Sequence, residues 1–139
     1  MHFQRTTSYQ DIEILPQQEK YLSSIEKIKN ALLQHQNYGF YIYVNQQKIG
    51  FILLRQFAEN QFFLWNYIID KNFQNQGYGT NALIELLVFL KENFAATLLT
   101  TTYTWGNQHA KSLYEKVGFS ETEVIQTDDI HEVNLKIIL

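Results

Sequence analysis

The chain has 139 residues, of which 45% are hydrophobic and 15% aromatic, and it contains no cysteine. This composition predicts a single globular domain over residues 1–139, and it excludes disulfides, thiolate nucleophiles and cysteine-bound metals. The net charge of −3 disfavours sequence-independent binding of nucleic acid, which needs clustered Lys and Arg, and mildly favours a cationic partner.

The first half of the chain predicts one helix followed by three strands. Apolar residues at helical spacing predict a helix over residues 19–34. Runs rich in β-branched and aromatic residues at 38–44, 48–55 and 61–70 predict a three-stranded meander. The first 15 residues show no clear pattern and no signal-peptide core.

The second half predicts a helix over 77–93, a strand over 97–103, a helix over 107–117 and a final strand over 133–137. A strand–helix–strand unit in the middle implies one parallel strand pair. We therefore expect an α+β fold with a mixed, mostly antiparallel twisted sheet flanked by helices. No apolar stretch approaches the ~20 residues that span a bilayer, so we expect a cytoplasmic protein that does not engage membranes.

A glycine-containing loop lies between the third strand and the longest predicted helix. A helix N-terminus offers unpaired N–H groups, and glycines let the backbone approach an anion. The loop is therefore either a phosphate cradle or a tight turn without a ligand. It lacks the lysine of a Walker loop, and no carboxylate stands ~20 residues later as a dinucleotide site would require. The loop comprises Gln74, Asn75, Gln76, Gly77, Tyr78, Gly79 and Thr80.

Two motifs in the correct order resemble the GNAT superfamily of N-acetyltransferases. The first is Ile68-Ile69-Asp70 followed by Gln74-x-x-Gly77-x-Gly79 and a long amphipathic helix. The second is Asn107-x-x-Ala110-x-x-Leu113-Tyr114-x-x-x-Gly118-Phe119. Segments 39–43, 50–51 and 64–70 further resemble bacterial polyamine acetyltransferases that act on spermine, spermidine or diamines. One departure is Asn75, where many members of the family carry glycine; Asn tolerates the left-handed conformation well.

The resemblance implies acetyl-CoA as the cosubstrate and a role for each motif. Amides of residues 74–80 would hold the pyrophosphate of CoA, and the backbone of Ile68, Ile69 and Asp70 would pair with the pantetheine arm like an added strand. Asn107 would cap its helix and touch the pantetheine. Lys116 would reach the adenosine phosphate. From its helical spacing alone, Tyr114 is more typical of a packed core residue, but the resemblance implies that it protonates the departing CoA thiolate.

The acceptor and the base are less well defined by the sequence. A small primary amine, preferably a polyamine, would need carboxylates and aromatic faces, for which Glu19, Tyr41 and Trp65 are candidates. Where some relatives carry a glutamate, this chain has Trp65-Asn66, so the base is left among Asp70, Glu19, Glu59 and a water chain. No metal is implied, and a homodimer is left open. The alternatives are another amine, such as a peptide N-terminus, a lysine or an aminoglycoside, and a non-catalytic acyl-CoA-binding module.

Overall fold

The computed structural model describes residues 1–139, which form seven strands and three α-helices. No helix is both long and apolar enough to cross a membrane. A short 3₁₀ helix covers Pro16–Tyr21 and another covers Lys71–Phe73. The other elements, in chain order, are β1 (His2–Thr6), α1 (Ile25–Ala31), β2 (Asn37–Val44), β3 (Gln47–Ala58), β4 (Gln61–Ile69), α2 (Tyr78–Phe94), β5 (Leu98–Thr104), α3 (Gln108–Val117), β6 (Ser120–Gln126) and β7 (His131–Ile138).

All seven strands belong to one sheet with the order β1-β2-β3-β4-β5-β7-β6. Only β4 and β5 are parallel, and α2 connects them along the chain. The predicted fold class, a mostly antiparallel mixed sheet flanked by helices, is thus confirmed.

The sheet buries a hydrophobic core on each face. Along β3, Ile52 and Leu54 belong to a large core that includes residues of α2 and α3, whereas Phe51 and Leu53 belong to a smaller core that includes residues of α1. Because successive side chains of a strand point to opposite faces, the two cores lie on opposite sides of the sheet. The helices therefore cover both faces around β3 and β4.

The sequence pattern missed both edge strands, β1 and β6. Five of the seven residues in β6 are polar, and only one residue of the strand is even half-buried. A strand buried on neither face has no need of the apolar alternation from which strands are predicted. Edge strands rich in polar and charged residues also resist pairing with other chains.

The single helix predicted over residues 19–34 is wrong. The segment forms the 3₁₀ helix Pro16–Tyr21 and then α1, with a break at Leu22 and Ser23. Ser24 caps α1 by accepting a hydrogen bond from the Lys27 amide, and a cap begins a new helix rather than continuing an old one.

A β-bulge at Trp65 separates β4 from β5. Leu53 of β3 pairs with Asn66 and Leu54 pairs with Leu64, so Trp65 is an extra residue. The parallel pairing with β5 also ends at Leu64. A bulge bends its strand and ends regular pairing, so the two central strands diverge beyond this point. Their separation opens the site described next.

Candidate active site

A cavity of about 640 Å³ lies where β4 and β5 separate. Its walls come from the second half of β4, the end of β5, the start of α3, and the segment that contains the 3₁₀ helix Pro16–Tyr21 and the start of α1. The cavity therefore reaches from the glycine loop on one side of the sheet to the α1 segment on the other.

The open edge of β4 presents unpaired backbone amides to this cavity. The Asp70 amide donates to the Ile49 carbonyl of β3 at 2.8 Å. Backbone groups of a strand alternate between its two neighbours, so the amides of Tyr67 and Ile69 point towards the gap left by β5. Within the predicted set, the backbone amides of Ile68 and Asp70 face β3, whereas that of Ile69 lies on the open edge together with that of Tyr67.

The glycine loop has the backbone of an anion cradle. Asn75 and Gly77 both adopt left-handed conformations, with φ of 61° and 86°. The first amide bonded within α2 is that of Asn81, which donates to the Gly77 carbonyl. The amides of Tyr78, Gly79 and Thr80 consequently have no intrahelical partner, and they lie at the positive end of a 17-residue helix.

The side chains of the loop glutamines form hydrogen bonds with other parts of the protein. Gln74 donates from Nε2 to the Ile69 carbonyl at 2.9 Å and forms a reciprocal amide pair with Gln18, both bonds being 3.0 Å long. Gln76 donates to the Asn72 carbonyl at 3.3 Å. These bonds position the backbone, which leaves the amides as the groups that can face a ligand.

Tyr67 ties the first turn of α2 to the open edge of β4. Its hydroxyl donates to the Gly79 carbonyl, 12 residues further along the chain. Burial, together with the nearby Tyr114, raises the pKa of Tyr67 far above its usual value, and interaction with the Leu83 backbone offsets part of that rise. Tyr67 thus remains a neutral donor and fixes the distance between the cradle and the strand.

If the loop holds the acetyl-CoA that the sequence resemblance implies, Tyr67→Phe should raise the KM for acetyl-CoA about fivefold and leave kcat nearly unchanged, because the loss of one buried hydrogen bond of roughly 1 kcal/mol loosens the loop. Steady-state kinetics at saturating acceptor would measure both constants. Tyr38→Phe is the matched control, since it removes a hydroxyl that bonds Gln56 away from the cavity. Equal KM values in the two variants would contradict this role for Tyr67.

Tyr114 lines the cavity from α3 and is 7% exposed. Its ring packs edge-on against Phe119, with the centroids 5.3 Å apart. Burial raises the pKa of Tyr114, and interaction with the Thr101 side chain offsets part of that rise.

Tyr103, which also lines the cavity, donates to Glu121 Oε1 at 3.0 Å, and burial with this bond raises its pKa to about 12. Tyr103 is therefore occupied by its bond to β6.

The remaining predicted cofactor residues differ in their placement. Asn107 caps α3 by accepting a hydrogen bond from the Ala110 amide at 3.2 Å, and it lines the cavity. Lys116 is exposed in the last turn of α3 and does not line the cavity.

Of the three predicted acceptor residues, only Trp65 lines the cavity. Tyr41 is 5% exposed, and its hydroxyl accepts a hydrogen bond from the Gln10 amide at 3.1 Å. It belongs to the smaller core, with the Lys48 ammonium 3.8 Å from its ring centroid. Glu19 is exposed on the 3₁₀ helix and outside the cavity. These two positions do not match the roles that the sequence suggested.

The candidate bases are also redistributed. The Asp70 carboxylate is buried and accepts hydrogen bonds from the Glu13 and Asn72 amides, both at 2.9 Å, so it caps a turn outside the cavity. Glu59 is exposed in the β3–β4 turn, at the start of β4 and far from its open end. Among His, Asp and Glu side chains, only His109 and Glu132 line the cavity.

Several lining residues had not been singled out for the site, chiefly Tyr67, Lys20, Lys27 and Glu132. For Glu132 a signal existed: Val133 and Leu135 are the buried positions of β7, so alternation puts Glu132 on the other face. No group of three or more His, Asp or Glu side chains could hold a metal ion.

A family model described as the acetyltransferase (GNAT) family matches residues 5–119 of the chain. No curated protein sequence matches the chain.

Several solved structures share the fold. A GNAT family acetyltransferase from Elizabethkingia anophelis with acetyl-CoA bound has a TM-score of 0.73 at 20% identity, covering 99% of this chain and 97% of that one. A mutant spermidine N-acetyltransferase from Vibrio cholerae has a TM-score of 0.70 at 16% identity, covering 83% and 75%. The ribosomal-protein-S18-alanine N-acetyltransferase from Escherichia coli has a TM-score of 0.70 at 20% identity, covering 84% and 77%.

Proposed function

Because the chain belongs to the GNAT family of acetyltransferases, we propose that it transfers an acetyl group from acetyl-CoA directly to a primary amine in the cavity between β4 and β5. The observation that carries the proposal is that one cavity is lined by the open edge of β4, by Gln74 and Gly79 at the two ends of the left-handed loop, and by the buried Tyr114.

Backbone amides, rather than a cluster of Lys and Arg side chains, would bind most of acetyl-CoA. Free amides of Tyr78, Gly79 and Thr80 would hold the pyrophosphate, since a helix N-terminus favours negative charge. The amides of Tyr67 and Ile69 would pair with the pantetheine as a strand pairs with its neighbour. Asn107, at the start of α3, would contact the same arm from the opposite wall.

When bound, the thioester supplies an activated acyl carbon. An amide on the open edge of β4 would donate to its carbonyl oxygen, where negative charge develops as the amine attacks. The Tyr114 hydroxyl would then deliver a proton to the sulfur as the carbon–sulfur bond breaks. A thiol with a pKa near ~8.5 and a phenol near or above ~10 are close enough for this transfer.

The amine must lose a proton before or during attack. His109 and Glu132 are the side chains in the cavity that can accept it, either directly or through water. No thiol exists to form a covalent acetyl–cysteine intermediate, which is consistent with direct transfer.

A polyamine such as spermidine is the acceptor that the sequence resemblance favours. The aromatic ring of Trp65 in the cavity wall supports it, because aromatic faces attract ammonium groups. The carboxylates that would hold the distal ammonium groups are scarce, since Glu132 is the only acidic residue among those lining the cavity.

The proposal predicts that free CoA thiol is released from acetyl-CoA in proportion to acetylated product when one class of primary amine is supplied. The panel comprises polyamines, amino acids, aminoglycosides and short peptides, followed by thiol titration and mass spectrometry. Tight CoA binding with no turnover on any amine would instead identify a non-catalytic acyl-CoA-binding module.

A further inference from the structure

We infer that the acceptor is a small amine that also carries a carboxylate, as an amino acid does, and that Lys20 and Lys27 bind this carboxylate. The inference rests on the proposed acetyl transfer and specifies its substrate class. It follows from the charged side chains that line the cavity near the 3₁₀ helix Pro16–Tyr21 and the start of α1, which we call the acceptor side, and from how these side chains are positioned.

Two lysines and one acidic residue line this cavity. Lys20, at the end of the 3₁₀ helix, and Lys27, on α1, line the wall formed by the α1 segment. Glu132 lines the cavity from β7, where it pairs with Thr104 of β5. The acceptor side therefore carries two positive charges and one negative charge.

Neither lysine has an acidic partner within the protein. The two ion pairs of the structure join Lys48 to Asp11 at 3.6 Å and Lys71 to Glu13 at 2.8 Å. The Lys20 ammonium lies 5.0 Å from the ring centroid of Tyr21, a residue that itself lines the cavity. Both ammonium groups are consequently free to pair with an anion that enters from solvent.

A buried amide holds this wall against the sheet. The Ser23 amide donates to Asn66 Oδ1 and Asn66 Nδ2 donates to Ser23 Oγ, both at 3.1 Å. Asn66 is 3% exposed and follows the bulge at Trp65. Since Ser23 lies between Lys20 and Lys27 in the chain, its two bonds fix the backbone that carries both lysines next to Trp65.

These charges select against an acceptor that is only cationic. A diamine or polyamine would bring its distal ammonium towards Lys20 and Lys27, which are both exposed at the mouth of the cavity, and like charges repel. A zwitterion satisfies both walls: its carboxylate pairs with Lys20 and Lys27, and its amine lies on the side of Glu132. Charge-assisted hydrogen bonds to a carboxylate are among the stronger polar contacts in proteins.

The test compares amines with and without one carboxylate. Each of three pairs differs by that group alone: L-lysine and cadaverine, L-ornithine and putrescine, and L-phenylalanine and phenethylamine. We expect kcat/KM to be at least about tenfold higher for an amino acid than for its decarboxylated partner. In the double variant Lys20→Glu and Lys27→Glu, the preference should disappear or reverse through the KM of the acceptor.

Lys29→Glu is the control, because Lys29 lies on α1 as Lys27 does and is likewise exposed, but does not line the cavity. It should keep the wild-type preference. Equal or faster turnover of the decarboxylated amines would overturn the inference, as would an absence of turnover in all three pairs. A rise in the KM of acetyl-CoA alone in the double variant would also overturn it, since the lysines would then serve the cosubstrate. Turnover of spermidine or a peptide in any of these cases would leave the proposed acetyl transfer standing.

Discussion

Gly77→Glu is expected to abolish the thermal stabilisation that CoA gives to the wild-type protein. Gly77 caps α2 in a left-handed conformation, directly before the free amides of Tyr78, Gly79 and Thr80. A carboxylate there would occupy the positive helix end and repel the pyrophosphate. At a CoA concentration about 100 times Kd, ligand binding should stabilise the wild type by about 2.7 kcal/mol, or roughly 5–10 °C in Tm. The variant should show almost none of this shift in differential scanning fluorimetry.

Gly77→Gln separates charge from backbone strain. A Cβ at this position would meet only Asn81 Nδ2, at 4.0 Å, so the first side-chain atom of either residue fits without a clash. Both variants incur the strain of a left-handed non-glycine residue, about 1–2 kcal/mol, which lowers Tm without ligand equally. Gly77→Gln should retain a measurable CoA shift that Gly77→Glu lacks. If CoA raises the Tm of Gly77→Glu as it does that of the wild type, the loop is not the cradle.

The elements with strong periodicity could be predicted closely, and those held by distant contacts could not. The helix predicted over 77–93 is Tyr78–Phe94 in the structure, because an amphipathic stripe buries Leu83, Leu86 and Leu90 on one face. The strand predicted over 97–103 is likewise Leu98–Thr104. In both, the pattern reflects burial on a single face, which the local sequence encodes.

The break before α1 depends on contacts that are remote in sequence. Ser23 bonds to Asn66, 43 residues away, and this pair holds the chain in a bend where the apolar spacing suggested a continuous helix. Ser24 was nevertheless a readable start signal, since serine is a favoured N-cap. The cavity wall that carries Lys20 and Lys27 was missed for the same reason, because the contact that holds this segment against the sheet joins residues 43 positions apart.

The site was predicted best where function lies in the backbone. The positions of Asn75 and Gly77 follow from residue types that tolerate a positive φ, and the structure gives both a left-handed conformation. Side-chain roles were harder to predict. Whether Tyr41 faces a cavity or a core depends on residues 8–10, which bond its hydroxyl, and this segment has no readable sequence pattern.

Tyr114→Phe is expected to lower kcat about 10- to 100-fold with little change in the KM for acetyl-CoA. The ring would keep its packing against Phe119, so binding should persist, while the proton donor to the sulfur is lost. General acid catalysis contributes about 10²- to 10⁴-fold, and we expect at most the lower end of that range here because a thiolate is already a competent leaving group. Initial rates of CoA release at saturating amine would measure the change.

Tyr103→Phe is the matched control, because it removes a hydroxyl from the same cavity, one that is bonded to Glu121. Its kcat should stay within a few-fold of the wild type.

The pH profile adds an independent criterion. Burial raises the pKa of Tyr114, which keeps the phenol protonated past the usual value of about 10. The wild-type advantage over Tyr114→Phe should therefore persist through pH 7 to about 10; a profile in which it fades across that range, or an equal loss in Tyr103→Phe, would remove Tyr114 from the acid role.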